Sequence, residues 1–218
     1  GNRLVQPVTV TPATYDYSPE EEAFYTLMTE FISTGKAYAT SLSASQGNQV
    51  MLVLIAMQKL ASSSVAAIRK ALQRRLEKLR DARDRAQEQI RLSAEEAAAL
   101  SSASTEPVDE DSQASLDTLL AEMTLTLMEQ EIPHLEALVE TAQAVQVETK
   151  IERILDLLNE RFSDRSVLFF TEYKATQALL MSALMRQHGP DCVTFINGDE
   201  RIEDLILPDG SVVSRRMD

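Results

Sequence analysis

The spacing of apolar residues changes once along this 218-residue chain, near Thr149, and that change limits the folds open to it. Before it, apolar residues recur at three- and four-residue steps. The sets are Phe24, Leu27, Met28 and Phe31, then Ile68, Leu72, Leu76 and Leu79, then Leu116, Leu119, Leu120, Met123 and Leu127, then Leu135, Leu138, Val139 and Ala142. One side of a helix repeats with that period, so the region predicts packed helices. After it, helix alternates with short unbroken apolar runs. Ile151, Ile154, Leu155 and Leu158 mark an amphipathic helix, and residues 167–170 (Val-Leu-Phe-Phe) have the length and flanks of a buried parallel strand. Residues 175–188 return to helix until Gly189-Pro190, and residues 193–196 (Val-Thr-Phe-Ile) form a second short run. Strand, helix, strand predicts a right-handed parallel crossover. Residues 202–213 then read as a hairpin turning at Pro208-Asp209-Gly210.

Local signals place the helix ends. Residues up to Tyr17 are rich in Val, Thr and Pro and predict an extended lead-in or an edge strand. Ser18-Pro19-Glu20-Glu21 is a helix opening, since Ser18 can accept from free amides, Pro19 loses nothing at the first helical position and the acids suit the positive dipole end. Gly35 is the expected stop. Residues 49–61 are apolar nearly all round and predict the central core helix. Ser62-Ser63-Ser64 then offers a cap for a long helix from Val65 to Leu100. That helix carries the one basic stretch, Arg69, Lys70, Arg74, Arg75, Lys78, Arg80, Arg83, Arg85 and Arg91, interleaved with Glu77, Asp81, Asp84 and Glu88. Its polar face is either paired within itself or a nucleic-acid surface. Residues 101–115 are polar, acidic and interrupted by Pro107, and predict a loop.

A formal charge of −13 excludes bulk basicity as a means of gripping phosphate backbones, so any nucleic-acid contact is local. Cys192, the single cysteine, rules out an internal disulfide, suits a reducing compartment, and predicts a cytoplasmic address; beside an apolar run it is expected in the core. The longest apolar run, residues 50–57, is far short of the roughly 20 residues that span a bilayer, so no membrane partner is expected. A start at Gly1 without a signal-type apolar region, and an end at Ser214-Arg215-Arg216-Met217-Asp218, read as an internal piece of a longer protein.

Few residues are arranged for catalysis. Ser33-Thr34-Gly35-Lys36-Ala37 lacks the upstream glycine and the hydroxyl residue that a phosphate loop needs. His134 and His188 stand apart, and Asp109-Glu110-Asp111 lacks the ligand alternation of a calcium loop. No Gly-x-Ser-x-Gly elbow occurs. No catalytic residue, resident cofactor or metal ligand is expected in these 218 residues.

The informative stretch opens with Glu148-Thr149-Lys150, continues through Val167-Leu168-Phe169-Phe170-Thr171-Glu172-Tyr173-Lys174-Ala175-Thr176, and reaches Phe195-Ile196-Asn197-Gly198-Asp199. It resembles the opening of the second RecA-like lobe in bacterial Swi/Snf-type superfamily II helicase-like ATPases. The stretch from Gln49 to Arg75, with Leu60-Ala61-Ser62-Ser63-Ser64-Val65, is similar to the helical connection that such proteins place between their lobes. The resemblance implies a mainly α chain with a small α/β part: an inter-lobe helical domain over residues 1–147, then a truncated RecA-like parallel-sheet unit over 148–218. It implies a DNA translocase piece, inactive alone, whose parent binds ATP and magnesium through lobes outside this sequence. It implies contact with double-stranded DNA, or RNA, at Thr171, Glu172, Tyr173, Lys174, Thr176 and Gly198. A sheet with two parallel strands has an open edge, which the hairpin, the lead-in or a second copy in a homodimer is expected to cover. The alternative is a helical protein-interaction or scaffold module that binds no nucleic acid. The self-pairing of the long basic helix favours the latter, and continuity of its basic face with Lys174 and Gly198 the former.

Overall fold

The computed structural model describes residues 10–41, 44–103 and 130–217, and these are mainly helical. The helices are α1 (Pro19–Ser41), α2 (Ala44–Ser63), α3 (Val65–Ala103), α4 (residues 130–144), α5 (Thr149–Arg161) and α6 (Lys174–His188). Strands β1 (Arg201–Ile206) and β2 (Val212–Arg216) form a two-stranded antiparallel hairpin. The expected lead-in up to residue 9, most of the acidic loop with Asp109, Glu110 and Asp111, and the helical pattern over 116–127 lie outside the described residues. The chain divides into two compact units, one of residues Ala23–Ala144 and one of Gly1–Glu22 together with Val145–Asp218.

In the first unit, Phe24, Met28 and Ile32 of α1 are buried, as are Leu54, Met57 and Ala61 of α2 and Val65, Ala67, Ile68, Leu72 and Leu76 of α3. Ile132, Leu135, Leu138, Val139 and Ala142 are the buried stripe of α4. The Ser64 hydroxyl accepts from the amide of Ala67 at 3.0 Å and so caps α3, as the serine run predicts. Gly35 does not stop α1, which continues to Ser41. Its value there is steric: a Cβ on Gly35 would stand 2.9 Å from Cδ2 of the buried Leu54, so α1 and α2 approach closely at this point. The Tyr25 hydroxyl adds a hydrogen bond to the Ala61 carbonyl at 3.1 Å. The expectation that α2 is buried all round needs correction, because Leu52, Val53 and Ile55 are exposed while Leu54, Met57 and Ala61 form one covered face.

Ion pairs set the course of α3 beside α4. Arg75 meets Glu131 at 2.5 Å and Arg80 meets Glu136 at 2.6 Å. Five residues along α3 match five along α4 in the same sense, so the two helices run parallel here. Beyond Leu76, positions Leu79, Ala82, Ala86 and Ile90 of α3 are half-buried, and charged side chains flank them.

The second unit is built around α6. Its buried residues, from Thr176 to Met185, face two ways. Leu180 and Leu184 pack with Ile151 of α5 and with the half-buried Ile154, Leu155 and Leu158. Ala178, Met181 and Met185 pack with Phe195, Ile202 and Leu205, joined by Val193, Leu207 and Val213. The Ser182 hydroxyl donates to the Ala178 carbonyl at 2.7 Å and accepts from the Ile206 amide at 2.9 Å, which fastens β1 to the helix. The hairpin turns where the Pro-Asp-Gly signal predicts, with Gly210 at φ +84° and the Asp209 carboxylate accepting from the amide and hydroxyl of Ser211. Asp204, at φ +56°, sits where the register shifts between Ile202 and Leu205.

Two expectations about this unit differ from what is found. Residues 167–170 and 193–196 have no strand ladder among the described residues, and of the eight only Phe195 is buried. Buried parallel strands require hydrogen-bonded neighbours on their edges and helices on both faces, and the hairpin here packs on α6 without pairing to either segment. Cys192 is exposed and not a core residue. Partial desolvation, with the charge of Asp191, still pushes its thiol above the usual cysteine range.

Candidate functional site

The candidate residues meet at the N-terminal end of α6. The chain enters through Thr171, whose Oγ1 accepts from the Tyr173 amide at 3.3 Å and tightens the turn before the helix. Tyr173 is the N-cap, in extended conformation at φ −116° and ψ 127°, and makes no side-chain capping hydrogen bond. No acidic residue lies in the first turn, so the leading amides and the positive end of the dipole meet no carboxylate of their own helix.

The turn at residues 197–199 is drawn to this end by three contacts. Lys174 forms an ion pair with Asp199. The Asn197 side-chain amide donates to Gln177 Oε1 at 3.0 Å, and Gln177 Nε2 donates to the Ile196 carbonyl at 3.4 Å. Asn197 also shapes its own loop: Oδ1 accepts from the amides of Asp199 and Arg201 at 3.2 and 3.3 Å, and Nδ2 donates to the Arg201 carbonyl at 3.0 Å. This asparagine-centred turn holds Gly198 in open space, where even a Cβ would touch nothing within 4 Å.

Thr171, Tyr173, Lys174 and Gly198 therefore share one end of α6 with the exposed Glu172. Thr176 is different, because it is buried in the first turn and does not share that exposed surface. The residues that assemble the site without being among the expected contacts are Gln177, Asn197 and Asp199, the last two quoted in the motif around Gly198 but given no role there. The Asn-Gly-Asp sequence was the available signal, since Asn at the head of a tight turn commonly accepts from amides two and more residues ahead.

The arrangement suits an oxyanion in one respect and resists it in another. A helix start whose N-cap residue makes no side-chain capping hydrogen bond, with an exposed ammonium beside it, favours phosphate, while Asp199 holds that ammonium and Glu172 adds negative charge. Phosphate would have to displace Asp199 from Lys174. Residues 33–37 lie within α1 and not at a strand-to-helix turn. Among the described residues no group of three or more His, Cys, Asp or Glu could hold a metal ion. None of their helices is long and apolar enough to cross a membrane.

Arg75, Arg80, Arg83 and Arg91 of α3 are engaged with acids. Besides the pairs with α4, Arg83 contacts Asp84 at 2.7 Å, and Arg91 contacts both Glu88 and Glu95 at 2.5 Å. The Arg91 guanidinium holds the Glu88 carboxyl below the usual range, and the carboxylates raise Arg91 in turn. Against known proteins, no family model, no curated protein and no solved structure matches this chain.

Proposed function

We propose that this chain is the inter-lobe helical connection and the opening of the second RecA-like lobe of a Swi/Snf-type, helicase-like DNA translocase, and that the start of α6 is part of its nucleic-acid face. The observation that carries the reading is the gathering of Thr171, Lys174 and the Gly198 turn at one helix N-terminus, whose N-cap residue Tyr173 makes no side-chain capping hydrogen bond. The order helix, apolar run, helix, apolar run also supports it, with residues 167–170 and 193–196 as parallel neighbours once the sheet is complete. In this reading ATP and magnesium bind in partner lobes, and the present chain couples those lobes without hydrolysing ATP itself.

A second reading is favoured by the pairing of Arg75, Arg80, Arg83 and Arg91 with carboxylates. It makes the chain a helical interaction module with no nucleic-acid role.

Binding of the full chain to labelled duplex DNA across a salt series separates the two. The first reading expects binding that falls with salt, and a log–log slope smaller by about 1 for Lys174→Ala. Thr171→Ala should weaken binding without changing the slope. Absence of binding at low salt favours the interaction module.

A further inference from the structure

At Asn197 and Gly198 a side-chain amide and the next main-chain nitrogen are set up to react with one another. Asn197 Oδ1 accepts from the amides of Asp199 and Arg201 at 3.2 and 3.3 Å. Two N–H groups aimed at one carbonyl oxygen draw electron density from Cγ and offer a seat for negative charge on that oxygen. The nucleophile is the Gly198 nitrogen, and among the described residues no hydrogen bond engages its N–H. Gly198 is exposed to water, and nothing lies within 4 Å of where a Cβ on it would stand. Glycine itself has no Cβ to hinder ring closure. The leaving nitrogen, Nδ2, donates to Gln177 Oε1 and to the Arg201 carbonyl, each at 3.0 Å.

We propose that Asn197–Gly198 is a self-modification site, at which the folded turn converts its own asparagine to aspartyl and isoaspartyl residues with water as the co-reactant. The Gly198 nitrogen bonds to Cγ while its proton passes to water; the Cγ–Nδ2 bond breaks, and Nδ2 takes up a proton and leaves as ammonia. The cyclic imide so formed joins the Gly198 nitrogen to both Cγ and the main-chain carbonyl carbon of residue 197. Water then opens it. Attack at Cγ leaves an ordinary aspartate, and attack at the main-chain carbon leaves isoaspartate, with the chain running through the side chain. Each conversion consumes one water and releases one ammonia, with no change of oxidation state.

The change falls on the start of α6. A carboxylate accepts but cannot donate, so the bonds to Gln177 and to the Arg201 carbonyl are lost. A charge is also added close to Asp199, the partner of Lys174. The turn is thereby loosened from the helix, whichever of the two functional readings holds.

Peptide mass mapping of the full chain, aged at neutral and at mildly alkaline pH, tests the proposal. The fragment holding Asn197 gains one mass unit, accepts methyl groups from an isoaspartyl methyltransferase and converts faster at the higher pH, while Asn2, Asn48 and Asn159 stay unchanged over the same period. Gly198→Ala fits the open space and keeps the fold, yet its Cβ beside the attacking nitrogen slows conversion roughly tenfold. Because the folded turn itself reacts, the rate stays flat across urea concentrations that leave the fold intact. A rate that climbs through that range shows reaction from opened chains only, and overturns the proposal. So do an unmodified Asn197, equal gains at Asn2, Asn48 and Asn159, or a rate indifferent to Gly198→Ala.

Discussion

At the scale of single residues, Glu21 connects more of the molecule than any motif suggests. It is almost completely buried. Its Oε2 accepts from the Ser18 amide at 2.9 Å, and the Ser18 hydroxyl accepts from the Glu21 amide at 3.2 Å, a reciprocal capping box at the start of α1. The same carboxylate accepts from the Thr149 amide at 3.1 Å and the Thr149 hydroxyl at 2.8 Å, 128 residues away, where α5 begins. One side chain thus caps two helix starts. Beside it, desolvation and the neighbouring Tyr17, Glu21 and Glu148 raise the Tyr15 phenol above its usual 10. Glu21→Ala strands three donors and is expected to cost about 2–4 kcal/mol, against about 1 kcal/mol for Thr149→Val. The two losses should be less than additive in a double-mutant cycle, and amide exchange should quicken in the first turns of both helices. Quickening confined to α1 would show that the cap does not join them. The Ser-Pro-Glu-Glu signal revealed half of this arrangement. The other half rests on a contact between distant segments, which no local spacing encodes.

At the scale of elements, α6 explains why some of the fold was legible and some was not. Its ends were readable: Gly189, at φ +98°, follows the last turn, and Gly189-Pro190 is an explicit stop. Its surroundings were less so, because a helix covered on two sides shows little amphipathic contrast and does not announce its partners. The hairpin was legible from Pro208-Asp209-Gly210, yet its docking on α6 depends on Ser182, a polar residue inside an apolar run. Ser182→Ala is expected to destabilise the second unit by about 1 kcal/mol, since the Ile206 amide loses its acceptor. Exchange at Ile206 should rise more than at Ala178, whose carbonyl merely loses a second donor. Equal changes at both would mean that the hydroxyl acts through helix stability and not through the hairpin. The apolar runs at 167–170 and 193–196 mark the opposite case: composition gives strand propensity, but pairing requires a neighbour that composition cannot supply.

At the scale of the whole molecule, the second unit is discontinuous in sequence: residues up to Glu22 join Val145–Asp218, and Ala23–Ala144 form the other unit. The periodicity change near Thr149 reflects a change in local structure and lies close to Val145, where the later segment of that unit begins. The boundary after Glu22 falls inside α1, where the helical pattern continues without a break, so periodicity carries no mark of it. Each unit has its own fully buried residues, Leu72 in the first and Ile202 in the second. If the division holds energetically, a cavity in one core lowers the opening free energy of that unit and leaves the other unchanged. Leu72→Ala, at about 2–5 kcal/mol, should therefore speed amide exchange in α2, α3 and α4 while α6 and the hairpin keep their protection. Ile202→Ala should do the reverse, loosening β1, β2 and α6 alone. Uniform loss of protection from either substitution would establish one cooperative structure. The Glu21–Thr149 contact would then be one link within a single folding unit, in place of the bond that closes the discontinuous one.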